Sequence, residues 1–142
     1  MDVLIIERDV MLAAVLADSL AEDGVAAVIL RDDKEALALP QQSVPRVVIT
    51  GINRNGEDMR GLALGRALRA RFPFLAMIYM AALWPARLHR SALARDERFL
   101  AKPVRMSKLV ETVRELLTKA MRPAIPRRSA SGQRNLLRLA EV

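Results

Sequence analysis

Five residues in this 142-residue chain stand where an α/β protein usually keeps its chemistry, just past the ends of short apolar runs. Glu7 and Arg8 follow Val3-Leu4-Ile5-Ile6. Gly51 closes Val47-Val48-Ile49-Thr50, Ala81 closes Leu75–Met80, and Lys102 follows Arg98-Phe99-Leu100-Ala101. Glu7 and Lys102 are the pair that could move a proton or form a partly buried ion pair. Arg8 is a fixed cation beside Glu7, and Gly51 and Ala81 bring no reactive group. Other chemistries lack their parts. With no cysteine there is no disulfide, thiolate metal site or cysteine nucleophile. His89 is the only histidine, lies among arginines and reads as a surface residue, so a histidine-rich metal site is excluded. No Walker loop, no GxGxxG after the first run and no nucleophile elbow occurs.

The elements that must position these residues follow from periodicity. The organising stretch is Val44–Asn53, opened by proline, closed by glycine and rich in β-branched residues, as expected of a strand buried on both faces of a parallel sheet. Val3–Ile6, Val25–Leu30, Leu75–Met80 and Arg98–Ala101 read as four further strands. Between them lie helical patterns. The first starts at an Asp9 cap, runs to about Asp23 and ends at Gly24, with Met11, Leu12, Val15, Leu16, Ser19 and Leu20 as its apolar stripe. The second is short, capped by Asp32 or Asp33 and stopped by Pro40. The third spans about Met59 to Arg71, weakened by Gly61 and Gly65, and the fourth runs from about Pro85 to Leu93. The last spans about Met106 to Ala120, with Leu109, Val110, Val113, Leu116 and Leu117 on one face. Alternation of this kind gives a doubly wound α/β domain with a five-stranded parallel sheet, its ligands beyond the carboxyl ends of the strands.

Residues 1–120 read as one domain and 121–142 as a basic linker or tail. From Ala120 onward five arginines stand against Glu141, a net +4 of the chain's +7. Such a tail suits nucleic acid or an acidic partner, and equally a solvated extension or a short docked helix through Leu136, Leu137 and Leu139. Few aromatic residues argue against a base-stacking platform. The start of the chain reads as neither a signal peptide nor a membrane span.

The order of elements, their length, the spacing of the strand ends and the Lys102-Pro103 pair resemble the receiver domain of two-component response regulators, over about Val3 to Leu117. The resemblance implies the (βα)5, flavodoxin-like receiver fold, and a cytoplasmic, bacterial signalling protein that is not an enzyme. It places the family's acidic pair at Glu7 and Arg8, the phospho-accepting aspartate at Gly51, the hydroxyl residue at Ala81, the lysine at Lys102 and the switch aromatic at Phe99. Only Glu7 and Lys102 keep family chemistry. Asn55 stands at the usual loop proline. Asp9 reads as a cap, and Asp58 as a residue of the loop or of the next helix start, so neither is expected to restore the lost acid. The expectation is a pseudo-receiver that has lost Mg²⁺ and phosphoryl transfer, needs no cofactor, and has Arg8 in the place of the metal, neutralising Glu7. Its partners would be a histidine kinase, a phosphotransfer protein, another regulator or a second copy. They would dock on the stretch from Pro85 to Leu117, made basic by Arg87, Arg90, Arg95, Arg105 and Lys108.

Overall fold

The computed structural model describes residues 1–53, 59–85 and 93–121. Five strands, β1 (Val3–Ile6), β2 (Ala27–Leu30), β3 (Val47–Gly51), β4 (Ala76–Ala81) and β5 (Glu97–Ala101), form one parallel sheet in the order β2-β1-β3-β4-β5. Among the described residues four helices, α1 (Val10–Glu22), α2 (Asp33–Leu37), α3 (Arg60–Arg71) and α4 (Met106–Met121), connect or follow the strands, with a 3₁₀ turn at Gln41–Ser43. The helix expected from about Pro85 to Leu93 falls mostly on residues 86–92, which lie outside the described residues.

The central strands are buried throughout, as their unbroken apolar runs require: every residue of β1, β3 and β4 is buried. Alternate side chains feed two cores. Val3, Ile5, Val47, Ile49, Ile78 and Met80 pack with Leu16 and Leu20 of α1 and with Leu109, Val113 and Leu116 of α4. Leu4, Ile6, Val48, Met77 and Tyr79 pack with Ala36 of α2 and with Leu62, Leu64 and Leu68 of α3. The structure is thus doubly wound, with α1 and α4 against one face of the sheet and α2 and α3 against the other.

Asp9 caps α1 as expected, its carboxylate accepting from the Leu12 amide at 3.1 Å. Gly24, at φ 79°, ends the helix where the Gly24 and Val25 amides return to Ala21 and Leu20. The expected stripe is turned, however. Met11 and Val15 are 75% and 47% exposed, while Ala13, Leu16 and Leu20 are buried and Leu12 and Ala17 partly so. The small Ala13 lets the helix sit close to the sheet, and packing decides the face ahead of side-chain hydrophobicity. Asp32, not Asp33, caps α2.

The two glycines of α3 are spacers. A Cβ on Gly61 would stand 1.6 Å from the Gly51 carbonyl oxygen, and one on Gly65 would stand 2.0 Å from the Tyr79 hydroxyl. The Gly61 amide donates to the Ile52 carbonyl at 2.7 Å. The helix start is therefore seated directly on the end of β3.

Candidate functional site

The register places the five expected residues on one rim. Ile6 pairs with Thr50, Gly51 with Met80, and Ala81 with Ala101, and the Lys102 amide donates to the Ala81 carbonyl at 2.9 Å. Glu7 follows β1, its amide bonded to Leu30 at 3.1 Å. Gly51 and Ala81, both buried, end β3 and β4.

The rim does not assemble the expected ion pair. The Glu7 carboxylate accepts from the Asp9 amide at 2.9 Å. Lys102 and Arg8 are both exposed, and among the described residues neither forms an ion pair. Geometry explains this. Two strands separate β1 from β5, a gap of about 14 Å at ordinary strand spacing. The free amides at the start of α1 lie within two residues of Glu7, and a local bond orders fewer torsions. Among the described residues Arg8 therefore does not pair with Glu7. Glu7 and Asp9 each accept one amide at the start of α1, and Gly51 supplies no side-chain oxygen. Among the described residues no three His, Cys, Asp or Glu side chains are grouped to hold a metal ion.

Phe99 is half-buried and meets Trp84 edge to face, with ring centroids 5.1 Å apart and planes at 87°. This contact joins β5 to the segment leaving β4. Beyond β3, the Asn53 side-chain oxygen accepts from the Met59 amide at 3.0 Å, closing the loop that leads into α3. Asn55, Asp58 and His89 lie outside the described residues.

Of the expected basic face, Arg87 and Arg90 also lie outside the described residues. Arg95, Arg105 and Lys108 are exposed, and Lys108 stands 3.4 Å from Glu111 one turn along α4. Neighbouring Arg98 stands at the same distance from Glu115. Pairs this exposed add little stability, so the charges remain available to solvent or to a partner.

Sequence reasoning missed a buried and multiply bonded carboxylate. Glu97, whose side chain is fully buried at the start of β5, accepts from Arg66 of α3 at 2.7 and 2.9 Å, from the Tyr79 hydroxyl at 2.7 Å and from the Ala94 amide at 2.9 Å. Alongside it Arg69 pairs with Asp96 at 2.9 Å. Burial alone would raise the Glu97 pKa. The bonds from Ala94, Tyr79 and Arg66 outweigh burial and hold it below the ordinary carboxylate value. Burial and the facing Glu97 charge push the Tyr79 phenol well above its usual range, so it stays a donor. One signal was present in the sequence: Tyr79 is the chain's only tyrosine and puts one hydroxyl into an otherwise apolar strand. A buried phenol needs a partner.

No protein-family model matches the chain, and no curated protein matches it. Solved structures do. The receiver domain of Francisella response regulator 1452 superposes with a TM-score of 0.69 at 23% identity, covering 83% of this chain and 97% of that one. A response regulator receiver protein from Sinorhizobium medicae gives 0.70 at 20% identity, covering 84% and 96%. A structure from a family of streptococcal redox sensors that evolved from two-component response regulators gives 0.67 at 16% identity, covering 84% of this chain and 52% of that one. At such identities the likeness is one of fold, and the fold is that of receiver domains.

Proposed function

We propose that this chain is a receiver-like signalling module that has lost phosphoryl transfer and acts by binding protein partners. The observation that carries the reading is Gly51. It is the last residue of β3, at the centre of the rim, and it has no side chain to accept a phosphoryl group. Its surroundings fit the same reading. Ala81 offers no hydroxyl, Arg8 stands where a metal-binding acid would be needed, and the Glu7 and Asp9 carboxylates are engaged by the start of α1. The streptococcal neighbour supports it by analogy, since its family reached redox sensing from response regulators.

On this reading the protein is not an enzyme, needs no cofactor, and works in the cytoplasm on a histidine kinase, a phosphotransfer protein or another regulator. The exposed cations Arg95, Arg105 and Lys108 suit an acidic partner surface. No helix among the described residues is long and apolar enough to cross a membrane.

The test is direct. The chain is incubated with acetyl phosphate and Mg²⁺ and its intact mass recorded, and its binding to histidine kinases of the source cell is measured with Mg²⁺ and with a chelator. The expected outcome is an unchanged mass and a kinase affinity that is the same in both conditions. A phosphoryl adduct, or binding that requires Mg²⁺, overturns the proposal.

A further inference from the structure

On the face of the sheet away from α3, the C-terminal half of α1 and the first half of α4 leave an open groove of about 640 Å³. Its walls are Ser19, Glu22 and Asp23 on one side and Met106, Val110 and Glu111 on the other, with Ser107 and Arg114 completing the α4 wall. Three carboxylates therefore face one guanidinium. Arg114 bonds Asp23 at 2.5 Å, and Lys108 stands 3.4 Å from Glu111, but these pairs are exposed, and a carboxylate has room for further donors. Glu22 has no ion-pair partner among the described residues. The α4 wall carries apolar surface, Met106 and Val110 being only partly buried.

The chain itself contains a segment of complementary chemistry. Residues 122–142, which follow α4 directly, carry Arg122, Arg127, Arg128, Arg134 and Arg138 against Glu141, and place Leu136, Leu137 and Leu139 among them. Chain length allows contact, since an extended chain spans up to about 3.5 Å per residue and the groove lies along the helix from which the segment departs. Other occupants fit less well. The +7 chain repels a second copy at long range, and nucleic acid or an anionic lipid surface would meet the three carboxylates.

We infer that residues 122–142 of the same chain occupy the groove between α1 and α4, with arginines on Glu22, Asp23 and Glu111 and the leucines over Met106 and Val110. The contact does not depend on which partner the receiver body binds. It does cover part of the α4 surface assigned above to partner docking, so the tail would compete with a partner for that surface.

The absence of cysteine gives a clean test. A nitroxide is attached to the Q133C variant of the full chain, and amide signals are compared before and after its reduction. The expected result is that amides of Ser19–Asp23 and Ser107–Arg114 lose roughly half their intensity or more at about 0.05 M salt and recover at about 0.5 M. Introducing E22K with E111K should abolish the loss while the other amide positions stay put. The inference is overturned if those amides keep their intensity, if the loss survives the charge reversals, or if it appears between a labelled copy and a separate isotope-enriched copy. A failure here leaves the Gly51 argument standing, because mass and kinase binding test that separately.

Discussion

At the scale of single residues, Glu97 decides more than any residue on the rim. Its charge is kept by three donors from three different parts of the chain, Arg66, Tyr79 and the Ala94 amide. Replacing it with glutamine keeps the shape and removes the charge, leaving Arg66 without a full counter-charge. Arg66 is 45% exposed, so solvent softens the loss, and E97Q should cost about 1–3 kcal/mol in urea unfolding. The pH dependence has a definite sign. A carboxylate whose folded pKa lies below its unfolded value, near 4.5, stabilises the fold above that value. The contribution is lost as pH falls from about 4.5 through the lower folded value. Wild type should therefore lose stability more steeply than E97Q on acidification below that point, and the gap between the two should close. Parallel curves down to pH 2 would show that the Glu97 charge does not contribute in this way.

At the scale of elements, α3 shows how a weak helix former can be the required residue. Gly65 costs helix propensity of up to about 1 kcal/mol relative to alanine, so a helix seen in isolation would gain from G65A. In the protein the added methyl meets the Tyr79 hydroxyl, which is buried and bonded to Glu97 and cannot swing away. G65A should therefore lower stability by about 1–3 kcal/mol in thermal or urea unfolding. G61A should lose more, because its obstacle is the backbone carbonyl of Gly51. A stabilised G65A would mean that α3 can lift from the sheet at little cost. These elements also show what was legible in the sequence. The strands were readable because buried parallel strands are written as unbroken apolar runs, and the Asp9 cap and Gly24 stop are local signals. The face of α1 was not, since Met11 and Val15 are as apolar as the residues that pack, and only the sheet selects Ala13, Leu16 and Leu20. At the rim the positions were legible, and the pairing was not. Spacing says that Glu7 and Lys102 share an edge, but not that two strands and a nearby helix start keep them apart.

At the scale of the whole molecule, β5 lies at the margin of the sheet, with β4 as its only strand neighbour among the described residues. Two of its residues, Arg98 and Phe99, are only partly buried. Edge strands are where opening begins, and opening usually proceeds in cooperative units smaller than the fold. The cluster around Glu97 crosses from β5 over β4 to α3, so it fastens the margin to an inner element instead of to its neighbour alone. The consequence is kinetic. In native-state hydrogen exchange, the amides of Phe99 and Leu100 should open with a free energy close to that of Ile49 and Ile78 at the centre of the sheet. In E97Q they should exchange as a separate, faster group while the central amides keep their rank. If they already exchange early in the wild type, the fastening does not hold. If it does hold, this domain resists partial opening at β5, one of its two marginal strands, and proteases and chaperones would find that strand either closed or opened together with the sheet.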